Sequence, residues 1–366
     1  MYVCKVKIHP PLNGNTMKKL ILFASLAFIF STCSTDLDIL DDWKETMVVY
    51  SLLDTTQAKQ YVRIEKAFLG ADNALSMAQN YDSINYLNNL DVWLKEIDAN
   101  GNLVMAYQLS PDTLLNKEAG IFAFPEQVVY SMPTANSLPW NSAHKYKIQI
   151  TNLSSGVTVS ATTSLVTDFV FSRPQGTNID IRHLTNNSKI VLEWNGSPNA
   201  RIYQVVGRFH YFERDINNVI VRKTTKEWQI QTVKTTVSNA TTLQHIEIDP
   251  NAFYKFLSNN LVSDPNVTAR ESDSIEFAIY AGGDELNTYM EINAPSTSLV
   301  QEKPLYTNIE NGLGLFSARY EKVSTRFNLT TLTKDTLAKG QFSCHLQFLD
   351  HNETILNNAD LPPGCQ

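Results

Sequence analysis

Apolar and polar residues alternate in short runs from Met47 onward, and turn-forming residues separate the runs. Met47–Leu53, Gln60–Lys66, Val92–Ile97 and Leu103–Leu109 are rich in Val, Ile, Leu and Tyr. That period of two predicts half-buried strands. The third and fourth runs flank Asp98-Ala99-Asn100-Gly101-Asn102, whose Asn-Gly supplies the positive φ angles of a tight hairpin. Lys145–Thr151 and Val157–Ser164 form another pair around Leu153-Ser154-Ser155-Gly156. Strands at this spacing, with few helices between them, predict an antiparallel sandwich. The stretch Asp72–Asn89 reads as one helix or an irregular insert.

A boundary is expected at Phe171-Ser172-Arg173-Pro174-Gln175-Gly176, where proline and glycine interrupt the pattern. Beyond it Lys189–Trp194 alternates, Asn195–Ala200 turns, and Arg201–Glu213 resumes as strand. Trp194, the turn and Tyr203-Gln204-Val205 resemble the start of a fibronectin type III sandwich, whose tryptophan fills the space between sheets. A long hairpin follows, Tyr203–Asp215 with Val219–Thr232, and Ser274–Ala281 is a further strand that Gly282-Gly283 ends. Two helices are predicted here. Asp249 caps a proline-led one in which apolar residues recur at spacings of three and four, and Asp284–Ile292 forms the second. The expected fold is mainly β: an Ig-like sandwich over 46–170, a fibronectin type III-like sandwich over 175–325 with helical inserts, and a C-terminal tail over 326–366.

The one long apolar run lies upstream and carries an address. Lys18 and Lys19 precede Leu20–Phe30, then come Ser31, Thr32 and Cys33. This is the layout of a secretory signal, and a cysteine at the cut can carry a lipid. The run is too short to span a membrane, which takes about twenty residues. Cys33 is therefore the expected lipidation site, with ordinary signal-peptidase cleavage nearby as the alternative. Met17 is the expected true start, and residues 1–32 are extension plus signal. Ser34–Asp42 is acidic, and 33–45 is read as a tether held extended by like charges.

Charge narrows the partners. The whole chain carries −7, and the portion from Cys33 carries −11, with 26 basic residues against 37 acidic ones once the four upstream lysines are gone. Such a surface disfavours nucleic acid. Export also places Cys344 and Cys365 in an oxidising compartment, where they are expected to pair and pin the tail.

No nucleophile elbow, zinc-protease His-Glu-x-x-His, phosphate-cradling loop or EF-hand loop occurs in the chain. The best metal candidates, His345 and His351 with Asp350, fit no common zinc spacing and are read as surface histidines beside the disulfide. Glu213-Arg214-Asp215 keeps a hairpin end soluble, and the glycines of Asn311-Gly312-Leu313-Gly314-Leu315-Phe316 allow a tight turn or close backbone approach. No catalytic residue, metal ligand or cofactor is assigned. Five Asp-Ser/Thr triplets recur, beginning at Asp54, Asp82, Asp112, Asp273 and Asp335. They resemble the O-glycosylation signal of Bacteroidota, with Thr55, Ser83, Thr113, Ser274 and Thr336 as acceptors. Turn initiation by the same pairs is the alternative.

The signal with its cysteine, Tyr61–Leu69 and Lys303–Phe316 resemble an uncharacterised Bacteroidota lipoprotein family, domain of unknown function 4249. The resemblance implies an outer-membrane lipoprotein, often considered alongside TonB-dependent uptake receptors, and it carries over no catalytic residue. The expectation is a non-enzymatic, lipid-anchored module of the outer membrane, facing the cell surface, that binds a receptor protein or a ligand. An adhesion or envelope-structure protein, using the Tyr203–Trp228 hairpin, is the alternative. A glycan-acting hydrolase stands third, because it requires two facing carboxylates across an open cleft.

Overall fold

The computed structural model describes residues 45–67, 74–86, 88–133, 140–182, 189–236, 241–294, 305–356, 361 and 365. The expected signal, Cys33 and the expected tether through residue 44 lie outside them. Among the described residues the chain is mainly β with a few short helices. The first strands are β1 (Thr46–Asp54), β2 (Lys59–Ala67), β3 (Leu90–Ile97), β4 (Leu103–Gln108), β5 (Ser110–Leu114) and β6 (Gln127–Pro133). Then come β7 (Lys145–Asn152), β8 (Thr158–Ser164), β9 (Phe171–Arg173), β10 (Asn178–Ile179) and β11 (Ile190–Asn195). The rest are β12 (Ile202–Arg214), β13 (Ile220–Lys234), β14 (Leu243–Ile248), β15 (Ala269–Gly282), β16 (Leu313–Val323) and β17 (Phe327–Leu329).

Three sheets result. A four-stranded sheet runs β4-β3-β7-β8 and a three-stranded one β14-β11-β9. The ten-stranded sheet follows β10-β17-β15-β16-β1-β2-β6-β5, with β12 pairing β15 and β13 pairing β12. The architecture is the expected sandwich-like one, but the turn at 171–176 does not interrupt the large sheet. Strands β1, β2, β5 and β6 precede that turn and share the sheet with β12, β13, β15, β16 and β17, which follow it. Residues Lys44–Gln366 accordingly form one compact unit. The seam is a parallel pairing of β1 with β16, in which Val48 faces Leu313 and Asp54 faces Arg319.

Glycine makes that seam. Gly314 has φ +114°, and a Cβ there would lie 2.0 Å from the Val49 carbonyl oxygen. The close backbone approach read from the sequence is what this residue provides. One buried cluster runs through the unit, from Met47, Val49 and Ile64 past Ile148 and Ile150 to Leu192, Phe209 and Phe277. Trp194 is wholly buried on β11, with its ring 5.6 Å from that of Tyr203. It fills the space between sheets, as expected.

The tail is more than a tail. Residues 327–329 are β17, Thr331–Lys339 is a helix capped by Thr330, and Cys344 is bonded to Cys365 as expected. The helix led by Pro250 spans Pro250–Asn260, and the Asp249 side chain accepts from the Asn251 N–H. The other spans Asp284–Asn293, one residue longer than expected, and its cap is Gly283, without a side-chain bond. Within Asp72–Asn89 the described residues hold two short turns of helix, Ala74–Ala78 and Tyr81–Ile84.

Candidate functional site

Alternation along β1 points Met47, Val49, Ser51 and Leu53 inward and leaves Val48, Tyr50 and Leu52 half-buried on the other face. On β2 the same rule turns Val62 and Ile64 inward and Tyr61 and Arg63 outward. The register sets Arg63 opposite Tyr50, and Tyr50 beside Leu315 of β16. One continuous outer face therefore carries Tyr50, Arg63, Leu315, Arg319 and, further along, Tyr280 and Gln204.

The Asp284–Asn293 helix lies across this face and buries none of its own residues. Its first turn is held by Glu285, whose carboxylate accepts from the hydroxyls of Ser317 at 2.9 Å and Thr163 at 3.0 Å. Gly282 lets it pack close, since a Cβ there would lie 2.8 Å from both Ile202 and Leu286. Because the helix covers only a strip, it leaves a hollow on each side. One, of about 640 Å³, is lined by Tyr50, Tyr61, Arg63, Lys59, Tyr289 and Arg319. The other, of about 380 Å³, includes Gln204, Gln229, Tyr280 and Met290. Leu52, Leu286 and Arg319 border both.

The electrostatics of the larger hollow are balanced locally. Arg319 Nε donates to Asp54 at 2.9 Å, Lys59 Nζ lies 3.2 Å from Asp112, and Arg63 lies 3.7 Å from Glu65. The Arg63 guanidinium also sits 4.8 Å from the centre of the Tyr50 ring, a cation–π geometry. Tyr50 and Tyr289 meet edge to face at 6.3 Å. Burial, and then its hydrogen bond to Tyr289, raises the Tyr50 hydroxyl above its ordinary value, so it stays neutral. Among the described residues Asp54 is the single carboxylate in the lining, and it also accepts from Thr56. Here the hollow offers binding surface, and among the described residues no facing pair of acids lines it.

A third cavity, of about 540 Å³, lies between Tyr254 and the 332–343 segment. At its margin Asp335, Asp350 and His351 bring ligand atoms within 4.8 Å of one another. His345 is not in this group; its ring lies 3.4 Å from the Ser258 hydroxyl. The three are already partnered. His351 Nδ1 is 2.7 Å from Asp335, Asp350 accepts the N–H groups of Asn352 and Thr354, and Lys339 stands 3.9 Å from Asp350.

The other candidates fall in separate places. Glu213 is buried against Arg270, which also donates to the Leu346 and Val262 carbonyls. It ties the hairpin to the C-terminal segment, a packing role beyond the expected solubility. Among the acceptor candidates Thr113 is exposed, and Thr55 and Ser83 are half-buried. Ser274 is 4% exposed, flanked by His210 of β12 and Asn328 of β17, which leaves its hydroxyl little room for a glycan in the folded chain. Thr336 is half-buried within a helix and donates to the Leu332 carbonyl. Asp54 and Asp112 bond the residues after them, so these triplets organise local backbone.

Sequence reasoning missed Tyr50, Arg63, Tyr289 and Arg319 as a group. The available signal was the outward positions of β1 and β2, which carry Tyr, Leu, Tyr and Arg where a solvated sheet face carries small polar residues.

Fold and site together define a mainly β, sandwich-like protein with an aromatic hollow on one open sheet face. Residues 34–325 match the family model described as Domain of unknown function (DUF4249), and the chain belongs to that family. Both hollows beside the Asp284–Asn293 helix lie inside the matched span, whereas much of the Tyr254 cavity lies beyond it. No curated protein matches the chain. Among solved structures, it is similar to the C-terminal globular domain of an oligosaccharyltransferase from Pyrococcus abyssi, at 12% identity and a TM-score of 0.20, over 78% of this chain and 50% of that one. It is also similar to trypsin-activated alpha-2-macroglobulin from Escherichia coli, at 7% identity and a TM-score of 0.18, over 66% and 14%. The chain thus spans half or less of either relative, and scores this low carry no argument about function.

Proposed function

We propose that this protein is a non-enzymatic binding module, exported and anchored to the outer membrane through Cys33, that receives a ligand or partner on the open face of its large sheet. The observation that carries the reading is the hollow of about 640 Å³ walled by Tyr50, Tyr61 and Tyr289. Concave sites with aromatic walls and a few placed polar groups are the usual form of a ligand site. The anchor reading comes from Met17–Cys33, and among the described residues no helix is long and apolar enough to cross a membrane. Partnership with an outer-membrane uptake receptor belongs to the same proposal.

Two measurements test it. Cys33→Ala is expected to move the protein from the membrane fraction to the soluble one; retention on membranes would overturn the anchor. A photo-reactive amino acid at position 289 is expected to capture a partner or ligand in living cells, and the same label at Lys147, on the four-stranded sheet, is not. Equal capture at both positions would overturn the site.

A further inference from the structure

We infer that the larger hollow takes an anionic ligand, a carboxylate or phosphate group carried on an apolar or ring body, and that Arg63 anchors the anion; this rests on the binding reading above. Among the described residues the lining holds three cations, Lys59, Arg63 and Arg319, against one carboxylate, Asp54. The carboxylates that face Lys59 and Arg63, which are Asp112 and Glu65, lie outside it. This excess runs against the chain as a whole, where 37 acidic residues outnumber 30 basic ones. Cations gathered in a concave site raise the local concentration of anions.

The three cations are not equally engaged. Arg319 Nε donates to Asp54 at 2.9 Å, a full hydrogen bond within the lining. Lys59 Nζ reaches Asp112 at 3.2 Å, but their side chains are 48% and 29% exposed, and a surface pair of that kind is weak. An ammonium carries three donors, so Lys59 can also serve a ligand oxygen. Arg63 differs from both. Its Nε is buried and donates to no acceptor among the described residues, and Glu65 stands 3.7 Å away, beyond hydrogen-bond distance. A buried charged donor without an acceptor is destabilising, and an oxyanion supplies what is missing. The register sets Arg63 opposite Tyr50, whose ring centre lies 4.8 Å from the guanidinium carbon. A ring attracts the charge without offering an acceptor lone pair, so it steadies the guanidinium and leaves its donors to a ligand. Two oxygens of a carboxylate or phosphate match those donors as a pair.

The rest of the wall selects what carries the anion. Tyr61 is 37% exposed and lies two positions along β2 from both Lys59 and Arg63, which places its ring between the two cations on one face. Leu52, Leu286 and Leu315 line the same hollow. The Tyr50 hydroxyl is already bonded to Tyr289, so that pair offers ring surface. An anion with an apolar or aromatic portion satisfies the cations and the wall together. A neutral ligand supplies Arg63 with no charge, and a cationic one meets three like charges.

The test is calorimetric titration of the chain from Cys33 onward with phenyl phosphate, benzoate and, as the uncharged counterpart of benzoate, benzamide. The expected result is binding of at least one anion and none of benzamide, with affinity falling at least about fivefold between about 0.05 and about 0.5 M salt, because screening weakens charge pairs. Which of the two anions binds more tightly identifies the group as phosphate or carboxylate. Arg63→Gln should weaken the anion about tenfold or more, and Arg63→Lys, which keeps the charge but loses the paired donors, should recover only part of it. Lys59→Gln, at an exposed position, should weaken it about two- to fourfold. Thermal melts of the variants check the fold. Benzamide binding as tightly as benzoate would overturn the anionic ligand. Anion binding that a folded Arg63→Gln leaves unchanged would overturn Arg63 as the anchor, and full recovery in Arg63→Lys would overturn the paired donors. Failure of both anions at up to about 20 mM, the range of the weakest specific binding, would overturn the inference, and the photo-capture at position 289 would then decide the hollow independently.

Discussion

The Pro250–Asn260 and Asp284–Asn293 helices pack on opposite faces of β12 and β15, and their side chains account for how different those faces are. The first sends Phe253, Tyr254 and Leu257 fully into the core. Phe253 meets Phe209 at 5.3 Å and Trp228 at 5.8 Å, and Trp228 lies over Gly207, where a Cβ would sit 3.2 Å from the indole. The second helix sends no side chain fully into the core and is held by Glu285 at its start and near its end by Glu291, which accepts from Lys234 at 2.8 Å. Large apolar side chains driven fully into the core seal a sheet face; a helix whose side chains stay half-buried, held by polar bonds, roofs the face and leaves hollows beside it. Binding surface in this protein arises where the sheet is incompletely covered.

The comparison can be broken most strongly on the sealed side. Phe253→Ala should remove about 3–5 kcal/mol of stability, read by urea unfolding, because three aromatic neighbours cannot close the gap. A loss below about 1 kcal/mol would mean that this helix seals nothing. Next in size, replacing Cys344 and Cys365 together by serine opens a loop with a sequence separation of 21 and should cost about 3 kcal/mol under the same assay. No change in the unfolding midpoint between oxidised and reduced protein would count against that bond as a clamp.

Smaller effects sharpen the contrast. Glu285→Ala removes two hydroxyl bonds and should cost about 1–2 kcal/mol. Its signature is local: amide exchange should accelerate across 284–293 and stay unchanged across 250–260. Equal acceleration in both would erase the difference drawn between them. The smallest effect is a pH limb. Tyr146 is buried on β7, and burial is the main reason its hydroxyl is pushed up to about 12. An unfolded tyrosine ionises near pH 10, so the folded state keeps a proton that the unfolded state has lost. Its contribution is therefore complete below about pH 10 and disappears as pH rises toward about 12. Stability measured across that interval should fall less steeply in Tyr146→Phe; identical slopes would refute the assignment.

Much of this was legible in the residues. Period-two alternation located β1, β2, β3 and the β12–β13 hairpin, and Asp249-Pro250 marked the sealing helix, because those signals are local. The role of Leu313–Val323 was not legible as a strand. Gly314–Ala318 is buried without alternation, since both faces are covered, Ser317 under the start of the Asp284–Asn293 helix and Phe316 and Ala318 in the core, and its parallel partner lies more than two hundred residues upstream. The Thr331–Lys339 helix was missed for another reason: TLTKDTLAK carries few apolar residues, and Thr333, Leu337 and Ala338 are buried only because the fold comes to them.

The hollow itself shows the division. Tyr50, Arg63, Tyr289 and Arg319 each have an ordinary reading alone, as outward-facing residues of strands or of a polar helix. What the sequence determined by itself was the mainly β character, the turns between the strands and the Asp249 helix cap, all set by neighbours a few residues apart. Tertiary structure decided that the turn at 171–176 would not split the sheet, that the Asp284–Asn293 helix would roof one face only partly, and that each cation in the hollow would meet its own carboxylate. Those outcomes depend on pairing between residues far apart in the chain, where local periodicity carries no information.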